Sequence, residues 1–412
     1  MLRIALLLCC LLCAAAAHAA DIRLWHSMNG VRGAEFERLV ARFNASQREF
    51  RVVPVYKGVF DEAAVEAITA RRNPRAPHIV QASELGGAFL LEQKDTVRPL
   101  WQVLAVQSAG GFGGEDLVDR QGRLLALPLG RATPVLYYNR DAYRVAMLDP
   151  AKPPATWYEM VPAIAALIGA GSDCGLTMAW PASLFLENMA AWHDQAFSSD
   201  RLAFNNRLAV RWVSMLATWQ KSGYFTYYIR RGEAESRFLS GDCAFLAATS
   251  ANYDELRSRA KFDLGVAQFP YYDDFAGAPL NTLPSGSALW VMQGRAAGDY
   301  AGVARFLAFF ARPDVQAEWH QRTGLVPLSL DAYELTRKSG FYARHPGHEV
   351  AVRQLLAKGT PSGNGLRLRQ VPRVRSIIDE ELELVWLGRK APLDALNHAV
   401  ARGNAYLEKA GY

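Results

Sequence analysis

The chain has 412 residues, of which 50% are hydrophobic and 21% are charged, and it contains 32 glycines and 20 prolines. This composition is typical of a globular protein rather than collagen, low-complexity disorder or coiled coil, and the length predicts more than one domain because single hydrophobic cores rarely grow beyond ~250–300 residues. The net charge is +6 with no basic run of five or more residues, which argues against a nucleic-acid-binding tail and is compatible with a small anionic ligand.

The first twenty residues have the pattern of a cleaved secretory signal peptide. Arg3 supplies a positive start, an apolar run extends from Ile4 to Cys13, and Ala17-His18-Ala19 fits the small-residue cleavage pattern. A lipoprotein signal is the alternative because the run contains cysteines, but none of them follows the usual Gly or Ala. No later stretch reaches ~18 uninterrupted apolar residues, so we expect a soluble mature chain that begins at Asp21.

Two cysteines, Cys174 and Cys243, remain after the signal is removed. An exported protein meets an oxidising compartment, where such a pair can form a disulfide. The sequence does not show whether the two residues meet, so a disulfide and two buried thiols both stay open.

Strands and helices alternate over the first part of the mature chain. Hydrophobic periodicity predicts strands at 21–25, 50–56 and 78–82 and helices at 31–44, 61–72 and 85–93. The first helix has one apolar face, formed by Phe36, Leu39, Val40 and Phe43. A glycine-rich loop at 110–114 comes next, and two strands at 124–129 and 135–138 then flank Arg131. This alternation predicts an α/β fold with mostly parallel sheets.

A second alternating set follows along the chain. It is predicted to contain helices at 156–168, 183–192, 206–221 and 252–260 and strands at 175–178, 244–249, 262–269 and 288–292. From Tyr300 onward the pattern is almost entirely helical, with helices at 300–311, 313–323, 331–339, 349–357, 372–387 and 393–409 and a loop at 359–365. We therefore expect a helical C-terminal region beside the α/β core.

The sequence contains no evident catalytic or metal site. His345-Pro346-Gly347-His348 holds the closest pair of histidines, but Pro-Gly interrupts any helical face, so a surface turn is predicted. Gly286-Ser287 lacks the frame of a nucleophile elbow. Glu380, Glu381 and Glu383 are interpreted as the charged outer face of a helix. These observations give no catalytic constellation.

Several polar and aromatic residues occur where predicted strands end, which is where ligands bind in open α/β sheets. They are Tyr56, Glu84, Trp180, Thr249 and Ser250, and Gly286 precedes a later strand. The hydroxyls at 249 and 250 are placed to cap the next helix, whose N-terminal N–H groups favour an anion. Taken alone, each of these residues is better explained by structure than by function.

Nine long and unusual segments are spread over most of the mature chain. They are Trp25-His26-Ser27-Met28, Arg42-Phe43-Asn44, Val53-Pro54-Val55-Tyr56-Lys57-Gly58, Thr133–Asn139, Gly241-Asp242-Cys243-Ala244, Ala288–Gly294, Glu318–Gly324, Gly365-Leu366-Arg367-Leu368 and Asp379–Glu383. In these segments the chain resembles the periplasmic sn-glycerol-3-phosphate-binding proteins of ABC importers. Those proteins belong to the large extracellular solute-binding family that includes the maltose binders.

The resemblance implies a two-lobed periplasmic-binding-protein fold with a ligand cleft between two α/β domains. On this basis residues 1–20 form the signal peptide, 21–131 plus 283–328 an N-terminal lobe, and 132–282 plus 329–412 a C-terminal lobe. It also implies a periplasmic monomer that uses no cofactor or metal and binds no nucleic acid. Its partners would be a glycerophosphate ligand and the permease and ATPase subunits of an ABC importer.

The resemblance further implies the ligand pocket. By position the pocket falls on Tyr56, Glu84, Trp180, Thr249 or Ser250, Gly286 and Arg375. Arg375 would supply a bidentate fork for phosphate, and the hydroxyls and the glycine N–H would act as neutral donors. Glu84 would accept hydrogen bonds from glycerol hydroxyls. Trp180 and Tyr56 would cover the carbon skeleton or hold a choline-type cation.

Two positions depart from the family pattern. Arg131 and Ala132 stand where the family usually has two serines, and Leu325 stands where it usually has a tyrosine. We expect Arg131 to enter the cleft and contact the ligand, which adds it to the predicted site. One alternative is a binder of another sugar or polyol phosphate. The other is a secreted glycerophosphodiesterase or glycosidase, which would need a metal cluster or a paired acid and base that the sequence does not show.

Overall fold

The computed structural model describes residues 20–58, 61–71, 73, 75–104, 117–119, 121–179, 181–198, 201–230, 232–356 and 371–410. Within these ranges the chain forms two five-stranded sheets covered by helices, which confirms the predicted α/β fold. Residues 1–19 of the predicted signal peptide, Trp180 and the predicted loops at 110–114 and 359–365 lie outside the described residues. In the same ranges every helix is too short or too polar to span a bilayer.

The first sheet is formed mainly by the N-terminal part of the chain. Its strands are β1 (Ala20–His26), β2 (Phe50–Tyr56), β3 (Ile79–Ala82), β4 (Leu127–Ala132) and β10 (Ser285–Val291). They lie in the order β2-β1-β3-β10-β4, and β10 runs antiparallel to both of its neighbours. The helices packed on this sheet are α1 (Gly30–Ser46), α2 (Glu62–Ala70), α3 (Glu84–Glu92), α10 (Ala297–Phe310) and α11 (Pro313–Thr323). The predicted apolar face of α1 is buried against it.

The second sheet has the same arrangement of parallel strands interrupted by one antiparallel strand. Its strands are β5 (Pro134–Asn139), β6 (Cys174–Met178), β7 (Phe225–Thr226), β8 (Cys243–Thr249) and β9 (Leu264–Gln268). They lie in the order β7-β6-β8-β5-β9, with β5 antiparallel to β8 and β9. The helices of this part are α4 (Arg140–Val145), α5 (Trp157–Gly169), α6 (Ala182–Trp192), α7 (Arg207–Ser222), α8 (Glu233–Ser240) and α9 (Tyr253–Arg259).

A disulfide settles the question that the sequence left open for the two cysteines. Cys174 and Cys243 face each other across the parallel pair β6–β8 and are joined to each other. Both residues are buried. The bond therefore fastens two neighbouring strands of the second sheet.

The C-terminal region is helical, as predicted. Its helices are α12 (Leu330–Lys338), α13 (Phe341–Arg344), α14 (Pro346–Leu355), α15 (Val371–Trp386) and α16 (Pro392–Lys409). Apolar side chains of α15 and α16, including Ile377, Ile378 and Leu396, join the hydrophobic core beneath the second sheet. This placement carries Arg375, on α15, towards the first sheet.

Three segments connect the two sheets and bond to one another. The first is Thr133, between β4 and β5, whose hydroxyl lies 2.7 Å from that of Thr282 in the second segment. The third follows α11, where the Val326 N–H donates to the Arg131 carbonyl at 2.9 Å. Arg131 itself reaches the second segment, because its Nη2 donates to the Pro284 carbonyl at 2.7 Å. These bonds tie the connecting segments together around Arg131.

The region around Arg131 differs from the sequence-based expectation. The sequence places Arg131 between two strands, whereas the structure places it within β4, paired with Gly286 of β10. The predicted strand at 288–292 likewise begins earlier, at Ser285. Pairing between segments about 150 residues apart extends both strands, and no local sequence pattern indicates this pairing.

The prediction of a surface turn at His345–His348 is wrong. Pro346 occupies the first position of α14, which suits its fixed φ and missing N–H. His348 is buried, and its Nε2 lies 3.1 Å from Oδ1 of Asp254. The Pro-Gly pair therefore begins a helix that carries the histidine inward.

The interpretation of three glutamates as an outward charged face is wrong at one of them. Glu381 is buried, and its Oε1 accepts from Arg402 at 2.7 Å while its Oε2 accepts from Lys390. Glu380 is exposed, as expected. The C-terminal helix α16 covers this face of α15, which the sequence of α15 alone could not indicate.

Candidate functional site

The centre of the candidate site is an arginine held by two glutamates. Arg375 Nε donates to Glu187 Oε1 at 2.6 Å and its Nη2 donates to Oε2 of the same carboxylate at 2.7 Å. Its Nη1 donates to Glu84 Oε2. Glu187 belongs to α6, beside the second sheet, while Glu84 begins α3 on the first sheet. The guanidinium therefore bridges the two halves of the structure.

Glu84 is positioned by residues of its own sheet. Its Oε1 accepts from the Gly286 N–H at 3.1 Å and lies 4.0 Å from Nη1 of Arg131. Gly286 has φ 141°, and a Cβ there would lie 1.9 Å from the Gly130 carbonyl oxygen. Only glycine permits this close pairing, so the local backbone directs an N–H to the carboxylate.

The electrostatics of the cluster follow from burial and from pairing. Burial alone would raise the pKa of the Glu84 carboxyl, but the guanidinium groups of Arg375 and Arg131 hold it below its usual value. For Glu187, burial outweighs the same arginine and raises the pKa. The carboxylates of Glu187 and Glu84 raise the pKa of Arg375 despite its burial. Two cations and two anions are thus concentrated in one place.

A third carboxylate lies one helical turn from Arg375. Asp379 Oδ1 accepts from the Ser183 N–H at 2.8 Å, and its Oδ2 accepts from the Ser183 hydroxyl at 3.0 Å. Burial raises the pKa of Asp379 to about 6 in spite of these two bonds. Its charge therefore changes close to physiological pH, within the candidate site.

Two predicted hydroxyls lie beside the connecting segments. Ser250 Oγ accepts from the Thr133 N–H at 3.2 Å, and the Ser250 N–H donates to the Thr133 carbonyl at 2.8 Å. Thr249 Oγ1 accepts from the Ala251 N–H at 3.2 Å and caps a short helical turn, as its position predicted. A hydroxyl that accepts a hydrogen bond can also donate one.

The remaining predicted residues are Tyr56, Trp180 and Arg131. Tyr56 ends β2 and is half exposed, with its ring 5.9 Å from that of His26. Trp180 is not among the described residues. Arg131 is wholly buried, beside Glu84 and Pro284. The structure therefore brings together Glu84, Arg131, Gly286 and Arg375, and the assignment of all these residues to a ligand stays a prediction. In the part of the chain that the structure describes, no three metal-ligating side chains come together.

Glu187 is the residue that the sequence analysis missed. It lies in α6, where every residue from Ala182 to Trp192 is buried and most are apolar. A carboxylate in such a segment must find a cation or a set of donors, because an unpaired buried charge is too costly. A glutamate within an apolar helix was therefore the sequence feature that could have indicated a buried ion pair, although sequence spacing does not identify its partner.

The chain matches known binding proteins along most of its length. Residues 38–350 match the family described as bacterial extracellular solute-binding protein. The sn-glycerol-3-phosphate-binding periplasmic protein UgpB of Yersinia pseudotuberculosis is 40% identical over 410 residues, covering 94% of this chain and 92% of that protein. The protein of the same name from Salmonella typhimurium is 41% identical over 408 residues, with the same coverage.

Solved structures share the fold at lower sequence identity. UgpB from Mycobacterium tuberculosis in complex with glycerophosphocholine has a TM-score of 0.77 and 22% identity, covering 96% of this chain and 100% of that chain. The cyclic alpha-maltosyl-1,6-maltose binding protein from Arthrobacter globiformis has a TM-score of 0.78 and 20% identity, covering 95% of this chain and 100% of that chain. At these identities the similarity concerns the architecture alone.

Proposed function

The chain belongs to the bacterial extracellular solute-binding proteins, and from this premise we propose that it captures glycerol-3-phosphate or a glycerophosphodiester in the periplasm for an ABC importer. Glycerophosphocholine is one such diester. The function is binding rather than catalysis. We further propose that the protein acts as a monomer, with the N-terminal lobe formed by 21–131 and 283–328 and the C-terminal lobe by 132–282 and 329–412.

The observation that carries this proposal is the way Arg375 is presented. Glu187 holds the Nε/Nη2 edge of the guanidinium, which fixes the orientation of the other bidentate edge, Nη1/Nη2. The side chain is 18% exposed, so a ligand can reach it without unfolding the helix. A planar fork held in one orientation is suited to bidentate recognition of a phosphate group.

The other site residues complete the proposed ligand contacts. Glu84 accepts from glycerol hydroxyls, the hydroxyls of Thr249 and Ser250 donate, and Gly286 and Arg131 orient Glu84. By the resemblance, we assign Trp180 and Tyr56 to an apolar wall against the carbon skeleton or the choline cation. The relatives that are about 40% identical are named as glycerol-3-phosphate-binding proteins, and the match covers 92% of their length. This similarity supports the same ligand class.

A second candidate ligand is another sugar or polyol phosphate. It is favoured by Arg131, which adds a buried cation at a position where the family usually has serine, and by Leu325, which is buried and lacks the hydroxyl of a tyrosine. Both changes alter the polarity near Glu84 and the connecting segments. They affect the preferred ligand while leaving the class of protein the same.

A thermal-shift panel tests the proposed function. The panel contains glycerol-3-phosphate, glycerophosphocholine, glycerophosphoethanolamine, maltose and inorganic phosphate. A ligand present at about a hundred times its Kd should add roughly 2.7 kcal/mol to the free energy of unfolding. We expect the glycerophosphates to stabilise the protein and maltose to have no effect. Stabilisation by maltose alone would contradict the proposal.

Calorimetry of Arg375→Lys tests the site. Lysine keeps the charge but loses the fork, so we expect glycerol-3-phosphate affinity to fall ten- to a hundredfold, as for the loss of charge-assisted hydrogen bonds. Arg373→Lys is the matched control, because Arg373 is exposed on the same helix and pairs only with Glu380 among the described residues. Less than a threefold loss in Arg375→Lys would remove Arg375 from the site.

A further inference from the structure

The N–H donors of Arg375 lie along two edges of the guanidinium, and the two edges have different hydrogen-bond partners. A guanidinium has five N–H groups. Glu187 binds the Nε/Nη2 edge through both of its oxygens, as a bidentate pair. Glu84 binds Nη1 through a single oxygen, Oε2. The edge that remains for bidentate binding of a phosphate is therefore Nη1/Nη2, and it includes the nitrogen that Glu84 already occupies.

Glu84 cannot easily leave this place, because its other oxygen is held. Oε1 accepts from Gly286 and lies close to Arg131, both in strands of the first sheet, and Glu84 itself begins a helix packed on that sheet. The residue is only 8% exposed. The carboxylate is thus fixed on one side and directs Oε2 at an arginine from the other half of the structure.

We propose that Glu84 is a specificity-determining residue that competes with bare anions for Arg375 and so excludes them from the site. This inference rests on the proposed function, because it concerns the same ligand pocket. An anion that takes the Nη1/Nη2 edge deprives Glu84 Oε2 of its donor and places a second negative charge beside it. Sulfate offers no hydroxyl in return, and the buried carboxylate is left short of a hydrogen bond.

A glycerophosphate compensates for this loss. Its phosphate takes the arginine edge, and its glycerol hydroxyls donate to the oxygen that Arg375 has released. The same carboxylate therefore opposes a bare anion and favours an anion that carries hydroxyl groups. The site discriminates because a bare anion leaves the buried carboxylate without a hydrogen-bond donor, whereas a glycerophosphate supplies one. Such a penalty on the wrong ligand is more selective than an added attraction for the right ligand.

Calorimetry with three probes tests the proposal on the full mature protein. The probes are sodium sulfate, methyl phosphate and sn-glycerol-3-phosphate, at constant pH and ionic strength. In Glu84→Gln, Oε1 can still accept from Gly286 while the amide cannot accept from Arg375. We expect sulfate and methyl phosphate to bind at least tenfold more tightly to this variant than to the wild type. The ratio of glycerol-3-phosphate affinity to sulfate affinity should fall by at least tenfold.

Glu187→Gln is the matched control, since it removes a carboxylate from the same guanidinium but on the edge that orients it. We expect this variant to gain no sulfate affinity and to lose glycerol-3-phosphate affinity. Glu84→Ala must repeat the gain of Glu84→Gln, which guards against an effect of the amide itself. Unchanged or weaker sulfate binding in both Glu84 variants would overturn the proposal. An equal sulfate gain in Glu187→Gln would also overturn it, by showing a general effect of charge.

The two proposals fail in different ways in this experiment. If wild-type protein binds no glycerophosphate, the proposed function fails, and the anion affinities of the Glu84 variants still decide whether the carboxylate excludes bare anions. If wild-type protein binds glycerol-3-phosphate and the Glu84 variants gain no sulfate affinity, the function stands and the exclusion mechanism fails.

Discussion

Arg375 is the residue that joins the buried charges of the candidate site. Buried ions are tolerated only where hydrogen bonds and opposite charges compensate for lost hydration. Glu187 provides this on one edge, and Glu84 provides it from the other half of the structure. Arg131 then compensates for the negative charge of Glu84. The cluster is neutral as a set, so removing any one member leaves a buried charge that the others cannot balance.

Asp379 should make the stability of the protein depend on pH. Its pKa is raised by burial to about 6, above the ordinary aspartate value of 3.8, so the folded state binds its proton more tightly than the unfolded state. This contribution to stability is complete below about pH 4 and is lost as the pH rises through 6. For Asp379 alone it corresponds to a decrease of about 3 kcal/mol.

The measurement is chemical denaturation of wild type and Asp379→Asn between pH 4 and pH 7. The free energy of unfolding of the variant relative to wild type should increase over this range, because asparagine never acquires the buried charge. A difference between the two proteins that stays constant with pH would show that Asp379 does not titrate in this window.

Arg131 should bias the site towards a doubly charged phosphate. The second pKa of a phosphate monoester is about 6, so glycerol-3-phosphate gains charge between pH 5.5 and 7.5 while a diester does not. The cation beside Glu84 reduces the negative charge that such a ligand meets. We expect the preference of the wild type for glycerol-3-phosphate over glycerophosphocholine to grow about threefold or more over this range.

In Arg131→Ser we expect the preference for glycerol-3-phosphate over glycerophosphocholine to stay the same at the two pH values. Calorimetry at both pH values measures this preference. Thermal unfolding of the variant is the control, since Arg131 also bonds the connecting segment at Pro284. The same pH dependence in variant and wild type would place Arg131 outside the electrostatics of the ligand.

At the scale of elements, the pairing of β4 with β10 sets the geometry of the site. It brings Gly286 against the backbone of residues 130 and 131 and directs its N–H to Glu84. A side chain at position 286 would force these two strands apart. The site therefore depends on strand contact as much as on charged side chains.

Gly286→Ala should destabilise the protein by about 2–4 kcal/mol, from a strained φ and a Cβ too close to the Gly130 carbonyl. Gly298→Ala is the matched control: Gly298 lies in α10, and a Cβ there meets no atom within 4 Å. That change should be neutral or stabilising by up to about 1 kcal/mol. Chemical denaturation measures both, and equal stabilities would show that β4 and β10 can separate without cost.

At the scale of the whole molecule, polar contacts link the two halves both within the connecting segments and between elements outside them. Thr133 and Thr282 bond within these segments. Arg32 of α1 donates to the carbonyl of Ala251, beyond β8, and Arg375 reaches Glu84. We expect motion between the two proposed lobes to break the last two contacts and to leave the threonine pair in place.

Distance measurements can test the proposed lobes. Spin labels on non-natural amino acids at Val65 and Val145, both exposed, report on the two sheets and leave the disulfide intact. Saturating glycerol-3-phosphate should shift the measured distances towards a shorter and narrower distribution. Labels at Val145 and Val161 lie within one proposed lobe and should show no change. A shift within that control pair would contradict the boundaries.

The local sequence determined most of the secondary structure and the class of fold. Strand β2 occupies the predicted residues 50–56, and α11 occupies 313–323 between Pro313 and a left-handed Gly324. The helical tail was likewise evident from its periodicity. These features depend on neighbours within a few residues, such as alternation, capping residues and helix-ending glycine, so the information lies in the chain itself.

Contacts between distant residues were decided only by the tertiary structure. The sequence could nominate Arg375 and Glu84, through a resemblance, but not their contact, nor the part played by Glu187 nearly 190 residues earlier in the chain. The disulfide, the burial of His348 and the extension of β4 belong to the same class. Each depends on which surfaces meet when helices pack on sheets. Once a charge or a polar group is buried there, leaving it without a partner costs too much free energy, so the packing decides which residues pair.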